Sequence, residues 1–293
     1  VLQKAYIENN GAPKFKKLLP KIGASKNTLF SSPFDSVRDH LNSLKGLKGF
    51  IYRNYTDEGT AGQQFVRKYF TPENGKKIDA IRTKINEWKI EKSINENEYF
   101  VLLASLIESV PFYANISGVY AAFLKNYDPR ALKPFEIKPM GFYSGKLSHE
   151  VHNKNSMDLI DDINVDILYI DPPYNNRQYA PNYHLLETIA LYDSPEIKGV
   201  TGMREYKEKK SEFCNPDTAL KALEKITKTA KYKCLILSYN SEGIMPEQDI
   251  LSVLKKYGKV KLQNIDYLRF KSNSNGNSKH KKLIQEQLYV LQP

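Results

Sequence analysis

The feature that most restricts how this chain can fold is an apolar run at 165–170 (VDILYI), which leads directly into Asp-Pro-Pro-Tyr at 171–174. A short, β-rich apolar run of this kind predicts a strand buried in a parallel sheet. Two consecutive prolines fix φ and remove backbone donors, so the turn after the strand is stiff. In open α/β sheets, ligands bind beyond the carboxyl ends of the strands, so chemistry is expected at this corner.

Strands alternate with helices through the second half of the chain, which predicts an α/β sheet. The last two strands have no helix between them, so they predict an antiparallel hairpin at the edge of the sheet. After the strand at 165–170, the pattern predicts helices at 182–192, 216–231 and 246–257, and strands at 233–239, 260–270 and 284–291.

The predicted secondary structure of the first 140 residues or so is different, mostly helices joined by loops. Apolar residues at helical spacing are clearest at 96–110 (ENEYFVLLASLIESV). A second helix is expected at 117–127, after Pro111 and a short turn. The segment 51–73 is rich in Tyr, Gly and Thr, which predicts an irregular surface loop rather than a core element.

Composition narrows the class of protein. The formal net charge of +11 favours polyanionic partners, because neutralised phosphates release condensed counterions. The two cysteines lack CxxC spacing and the five histidines do not cluster as zinc ligands do, so we expect no metal. His184 is expected to be a packed core residue rather than a base. No apolar run approaches the roughly 20 residues of a membrane span, and no signal-peptide pattern is found, so a cytoplasmic protein is expected.

The corner carries the groups needed to hold an exocyclic amino group. The Asp171 side chain and the Pro172 carbonyl can each accept one N–H bond, which localises the lone pair of the nitrogen for attack on a methyl sulfonium. Pro173 stiffens the turn, and the ring of Tyr174 can stack on a base that has been flipped out of the duplex, for about 1–3 kcal/mol. The alternative is a proline-stiffened loop in which Tyr174 packs for structure; the strand before the corner and the helix after it favour a site.

With these residues the sequence resembles the DPPY-type DNA adenine methyltransferases, in the Dam-like branch whose recognition domain precedes that motif. The likeness continues through NNRQYAPNYHLLETIALYD at 175–193, and the segments 114–139, 235–244 and 285–293 are similar to other parts of those enzymes. The resemblance implies S-adenosyl-L-methionine as methyl donor and a catalytic set of Asp171, Pro172, Pro173 and Tyr174.

The resemblance also implies a fold and a division into domains. The fold is a Rossmann-like methyltransferase sheet with a terminal β-hairpin, plus a mainly helical DNA-recognition insert. Residues 1–30 would be part of the catalytic domain, 31–115 the insert, and 116–293 the rest of the catalytic domain.

Four residues are implied as cofactor contacts, including Asp171 itself. The acidic position that contacts the adenine of the cofactor in the family matches Asn155 and Ser156 here, with Asp158 as a competing candidate. A simple helix cap is the alternative role for these residues.

One family feature does not occur in this sequence, the FxGxG turn that cradles the methionine part of the cofactor. The chain is therefore expected to begin after the first strands of the sheet, as a truncated, interrupted or split enzyme that binds cofactor poorly. The expected partners are double-stranded DNA, and either a cognate restriction endonuclease or a missing N-terminal half.

Basic residues interleave with aromatic residues in the proposed insert. Contacts from such residues to phosphate position a duplex. A solvated basic face is the favoured interpretation for any single lysine here, whereas the group together favours a surface that faces DNA. Arg177 and the tract 271–282 could hold the flipped strand or flanking phosphates, and the tract could equally be a disordered loop between strands. The candidate DNA-binding residues are Arg53, Arg67, Lys68, Lys76, Lys77, Arg82 and Arg177.

Three functions are consistent with these residues. The first is a site-specific adenine N6-methyltransferase of a restriction-modification system. Methylation of cytosine at N4 uses the same turn, but a serine in place of Asp171 would favour it. The third is a DNA-binding module without catalysis of its own, which the missing FxGxG supports.

Overall fold

A computed structural model describes residues 1–24, 31–268 and 283–293 of the chain. The chain divides into two compact units. The first unit consists of Val1–His152 and Pro181–Glu205, and the second of Asn153–Ala180 and Tyr206–Pro293. Within the described ranges, no helix is both long and apolar enough to cross a bilayer.

The helices and strands are numbered in chain order. The helices are α1 (Leu18–Lys21), α2 (Pro33–Ser43), α3 (Phe50–Tyr55), α4 (Pro72–Ile90), α5 (Glu96–Ser109), α6 (Tyr179–Asn182), α7 (His184–Leu191), α8 (Pro216–Thr229) and α9 (Glu247–Leu254). The strands are β1 (Asn164–Ile170), β2 (Ile197–Lys198), β3 (Met203–Arg204), β4 (Lys231–Asn240), β5 (Lys259–Leu268) and β6 (Leu283–Gln292).

Local sequence determines where the longer helices of the first unit begin. Ser32 Oγ accepts from the Asp35 N–H at 3.1 Å, and the Asp35 carboxylate accepts from the Ser32 N–H at 3.2 Å, so α2 starts with a capping box. Asn95 and Glu98 form the same reciprocal pair at the start of α5, at 2.9 and 3.0 Å. The helix predicted at 96–110 is thereby confirmed.

Helices α3, α4, α5 and α7 all contribute to the core of the first unit. Apolar side chains on these helices are fully or almost fully buried, and each contributes about 1.5–3 kcal/mol relative to an exposed position. The core includes Ile51, Tyr55, Ile78, Ile81, Leu102, Leu106, Leu185 and Ile189.

The prediction of an irregular surface loop at 51–73 was right only for 57–68, which lacks regular structure. Residues 51–55 lie in α3, and the tyrosines of this segment include core residues. Tyr55 and Tyr69 are 0% exposed. The Tyr55 hydroxyl donates to the Gly202 carbonyl at 2.7 Å, and the Tyr69 hydroxyl donates to the Tyr120 carbonyl at 2.7 Å. A buried tyrosine is stable when its hydroxyl has a partner, and both hydroxyls have one.

The helix predicted at 117–127 was also wrong. The segment forms turns, and the buried Asn115 side chain organises them. Its amide nitrogen donates to the carbonyls of Lys68 and Leu124, each at 2.9 Å, and its amide oxygen accepts from the Asp128 N–H at 2.9 Å. These bonds hold the segment in its turns without a helix.

The second unit contains a four-stranded mixed sheet in the order β1-β4-β6-β5. Strands β1 and β4 are parallel, while β6 is antiparallel to both β4 and β5. The predicted alternation of strands and helices is confirmed, and so is the antiparallel pairing of the last two strands. The tract 271–282 between them lies outside the described residues. Side chains of α8 and α9 pack with the buried residues Leu235, Leu237, Tyr289 and Leu291 of β4 and β6.

The first predicted strand is confirmed as β1, but its expected burial was wrong. Leu168 and Ile170 pack against the core of the second unit. Ile167 and Tyr169, on the other face, are 61% and 58% exposed. Because successive strand residues point to opposite faces, β1 has one packed face and one exposed apolar face among the described residues. The mixed α/β class is as expected.

Candidate functional site

The proline corner lies at the carboxyl end of β1. Strand β4 runs parallel beside β1, with Ile170 opposite Leu237, and continues past the corner. Asp171 is exposed and Tyr174 is 42% exposed, whereas Pro172 is buried. The side chains of Asp171 and Tyr174 are therefore accessible to a ligand.

The outgoing end of the corner is held through the Tyr174 carbonyl. The Ile244 N–H donates to this oxygen at 2.9 Å, and the Tyr239 hydroxyl donates to it at 3.3 Å. Both donors belong to the end of β4 and the turn after it. The Tyr174 ring can thus stay exposed while its backbone is fixed.

The segment just after the corner is held by a second part of the chain. Gln178 and Ser211 exchange two hydrogen bonds: the Ser211 N–H donates to the Gln178 amide oxygen at 2.8 Å, and the Gln178 amide nitrogen donates to the Ser211 carbonyl at 3.3 Å. The Cys214 thiol donates to the Arg177 carbonyl at 3.6 Å. Because both ends are held, residues 171–178 form a fixed loop.

The chemistry available at the corner is that of an acceptor. Asp171 offers an exposed carboxylate. Pro172 and Pro173 have no N–H, so they add carbonyl acceptors but no donors to the corner. The half-exposed ring of Tyr174 offers a stacking surface. Among the residues that the structure describes, no three His, Cys, Asp or Glu side chains gather as a metal site would need.

The candidate cofactor residues lie before β1. Asn155 caps the short 3-10 helix Ser156–Asp158, because its amide oxygen accepts from the Met157 N–H at 3.1 Å. The alternative role as a helix cap is confirmed for Asn155. Ser156 and Asp158 are exposed, and contact of any of these residues with a cofactor stays a prediction.

Two of the candidate DNA-binding arginines lie inside the first unit. Arg67 is 6% exposed, and its guanidinium donates to the carbonyls of Gly199 at 2.9 Å and Val200 at 3.1 Å. Arg82 is 3% exposed and donates to the carbonyl of Ile189. Burial lowers the pKa of both guanidinium groups. These two side chains serve the packing of the helical unit.

The other candidate DNA-binding residues lie nearer the surface. Lys68 and Lys76 place their ammonium groups over tyrosine rings, 6.0 Å from the centroid of Tyr127 and 4.9 Å from that of Tyr52, respectively. The Lys77 ammonium donates to backbone carbonyls of residues 42 and 44, and burial lowers its pKa. The exposed members of the set are Arg53 in the first unit and Arg177 in the second.

His184 is a core residue, as predicted. It is 1% exposed, and its Nε2 lies 2.9 Å from the Tyr120 carbonyl oxygen. Burial lowers the pKa of its imidazole from 6.5 to about 4. A neutral histidine whose Nε2 bonds a backbone carbonyl is not placed to act as a base.

Sequence reasoning gave no role to the residues that hold the corner, Tyr239, Ile244 and Gln178. The signal for the first two was present as a tyrosine at the end of a buried strand, followed by the turn sequence Asn-Ser-Glu-Gly. Gln178 had no comparable signal, because its partner Ser211 is distant in sequence.

Curated relatives share this chain's sequence over most of its length. It is 42% identical over 241 residues to the type II methyltransferase M.NlaIII of Neisseria lactamica, which covers 82% of this chain and 70% of that protein. It is 40% identical over 289 residues to the type II methyltransferase M.FokI of Planomicrobium okeanokoites, and 36% identical over 290 residues to the modification methylase StsI of Streptococcus sanguinis.

The matches to M.FokI and StsI cover 98% of this chain but only 42% of each of those two proteins. No solved structure matches the chain at significant similarity. The model of the D12 class N6 adenine-specific DNA methyltransferases matches residues 4–253, and the chain belongs to that family.

Proposed function

We propose that this protein transfers a methyl group from S-adenosyl-L-methionine to N6 of an adenine flipped out of double-stranded DNA, as part of a restriction-modification system. The observation that carries the proposal is the open corner at the end of β1, with an exposed Asp171 carboxylate and a half-exposed Tyr174 ring. Relatives named type II methyltransferases support the restriction-modification setting.

The corner would act by orienting the amine. The Asp171 carboxylate and the Pro172 carbonyl each accept one N–H of the adenine amino group, which turns the nitrogen lone pair away from the ring. The Tyr174 ring stacks on the base and holds it in this orientation. The bound donor would supply the methyl group: the nitrogen–carbon bond would form as the carbon–sulfur bond breaks, and the extra proton on nitrogen would leave to solvent.

Polar side chains before β1 fit a cofactor with an adenosine part. Ser156 and Asp158 are exposed, and a hydroxyl and a carboxylate can bond the amino group or the ribose hydroxyls of such a molecule. Asn155 keeps its amide nitrogen as a donor after capping the helix. Together with Asp171, these are the residues proposed to hold S-adenosyl-L-methionine, whose sulfonium supplies the methyl group.

We further propose a Rossmann-like sheet for the catalytic part. Parallel sheets that are apolar on both faces are covered on both faces, and the exposed Ile167 and Tyr169 of β1 need such a cover. Further chain, or a separate N-terminal half, would supply it. The insert at 31–115 and a cytoplasmic location remain parts of this proposal.

The proposed DNA contacts follow from exposure. Arg53, Lys68, Lys76 and Arg177 remain in the set, because their charged groups lie at or near the surface. We leave out Arg67, Arg82 and Lys77, because backbone carbonyls already accept from their charged groups. A cognate restriction endonuclease is the proposed functional partner.

The test is a product analysis with the protein expressed from its complete reading frame. Duplexes of random sequence are incubated with methyl-labelled S-adenosyl-L-methionine, digested to nucleosides and analysed by mass spectrometry. Label in N6-methyldeoxyadenosine is expected. Label in N4-methyldeoxycytidine would transfer the proposal to the cytosine reaction, and duplex binding without any methylated nucleoside would identify a DNA-binding module.

A further inference from the structure

A hydrogen-bonded relay connects the end of β4 to the corner. Tyr239 is 2% exposed, and its hydroxyl accepts from the Met245 N–H at 3.2 Å. The same hydroxyl donates to the Tyr174 carbonyl at 3.3 Å. Because a backbone N–H can only donate, the Met245 bond leaves the hydroxyl proton to point at Tyr174. Successive bonds of this kind polarise and strengthen one another.

The Tyr174 carbonyl is the anchor of the corner on this side. It accepts a second bond from the Ile244 N–H at 2.9 Å, so both of its lone pairs have donors. The rings of Pro172 and Pro173 already fix two φ angles. With the peptide plane after Tyr174 held as well, few torsions remain that could move the carboxylate or the ring.

The turn after β4 is shaped to keep the Tyr239 ring in place. A Cβ atom on Gly243 would lie 2.2 Å from Cε1 and 2.6 Å from Cζ of that ring, closer than atoms can approach. The Gly243 N–H donates to the Asn240 carbonyl at 2.8 Å and closes the turn. Glycine is required because the backbone of the turn passes directly against the ring.

We propose that Tyr239 is a positioning residue for methyl transfer, whose hydroxyl holds the Tyr174 carbonyl so that Asp171 and the Tyr174 ring meet the adenine in a fixed geometry. This inference rests on the proposed function. The target is the same flipped adenine, and the added claim is that a buried phenol that does not touch the substrate controls how fast the substrate reacts.

A matched control lies on the neighbouring strand. Tyr289 of β6 is 0% exposed, and its hydroxyl donates to the Gln287 side chain at 3.0 Å rather than to the corner. Tyr239→Phe and Tyr289→Phe each delete one buried hydroxyl from the same sheet. A role in stability alone would give the two variants the same catalytic behaviour.

The experiment measures the single-turnover rate of adenine methylation, the dissociation constant for the duplex, and thermal unfolding for both variants. We expect Tyr239→Phe to lower the rate about tenfold to a hundredfold, because a displacement of about 1 Å is that costly, while duplex affinity stays near wild type. Tyr289→Phe should unfold earlier than wild type and keep the wild-type rate. Gly243→Ala, which displaces the ring, should slow the reaction as Tyr239→Phe does.

The outcomes separate this inference from the proposed function. Wild-type protein that makes no N6-methyladenine would refute the function itself. If the wild-type protein is active and a folded Tyr239→Phe or Gly243→Ala variant methylates at the wild-type rate, only the role of Tyr239 is refuted. Equal loss of rate in Tyr289→Phe would also overturn it, since the effect would then follow sheet stability. If Tyr239→Phe does not fold, Gly243→Ala decides the question.

Discussion

The guanidinium of Arg82 donates through Nε to the carbonyl oxygen of Ile189, 2.9 Å away. Through Nη2 it also donates to the Ala190 carbonyl at 3.0 Å. Both carbonyls belong to the last turn of α7, where backbone acceptors have no partner within the helix. One buried side chain of α4 therefore completes the end of another helix.

This role predicts a stability defect for Arg82→Ala. The two carbonyls would lose charged donors, and we expect the free energy of unfolding to fall by about 3 kcal/mol. Denaturant unfolding measures the change. Arg53→Ala is the control, because its exposed side chain should cost within about 0.5 kcal/mol. An Arg82→Ala protein as stable as wild type would contradict the packing role.

A second prediction concerns the salt dependence of DNA binding. Duplex affinity should fall steeply as salt rises, because phosphate contacts release counterions. Arg53→Ala should reduce the slope of log K against log salt by about 1 if that arginine contacts a phosphate. Fluorescence anisotropy over a series of salt concentrations measures both quantities. A flat response in the wild-type protein would argue against an interface dominated by phosphate.

Asp171→Ala should abolish methyl transfer and leave duplex affinity nearly unchanged. The alanine cannot accept an N–H of the adenine amino group, whereas DNA contacts elsewhere are intact. Asp166→Ala is a matched control on the same strand, since the exposed carboxylate of Asp166 forms an ion pair with Lys233. Single-turnover methylation and anisotropy are the measurements. A mutant at Asp171 that kept most of its rate would exclude the proposed role.

Substitutions of Tyr174 should separate its ring from its backbone. Tyr174→Phe keeps the ring and the carbonyl that accepts from Ile244, so methylation should stay close to wild type. Tyr174→Ala removes the stacking surface, worth about 1–3 kcal/mol per base, and should slow transfer or weaken binding by that amount. Comparable rates for the two variants would show that the ring does not stack on the base.

His184 predicts a dependence of stability on pH. Its pKa is about 4 in the fold, against 6.5 ordinarily, so below pH 6.5 the unfolded chain binds a proton that the folded chain refuses. The contribution of His184 to the free energy of unfolding is complete above pH 6.5. It is lost as pH falls toward 4, and the loss is on the order of 3 kcal/mol. The free energy of unfolding, measured from pH 7 to 4, should fall less steeply for His184→Gln than for wild type.

The sheet of the second unit could be predicted because its signals are local. Apolar runs such as 165–170, turn residues and helical spacing are all contained in short windows. Burial could not be predicted in the same way, because it depends on what covers each face. Ile167 and Leu168 look alike in sequence, yet only Leu168 packs on the core.

The candidate site could be predicted in its chemistry but not in its support. The corner at 171–174 is recognisable from the sequence, because a carboxylate, two prolines and an aromatic ring follow a strand without a gap. The burial of Arg67 and Arg82 could not be predicted. Both lie in a basic segment, but their guanidinium groups donate to backbone carbonyls that are distant in sequence. No local pattern distinguishes such an arginine from one that faces phosphate.

The loop from 171 to 178 is held at the Tyr174 carbonyl and again at Gln178. Its conformational entropy is therefore given up when the chain folds and not when a substrate arrives. In the proposed reaction the loop would therefore stay fixed, and the nucleobase would have to move by leaving its stack and rotating toward the loop. For the proposed reaction, this predicts that the choice among adenines would depend in part on how readily each DNA sequence releases one of its bases.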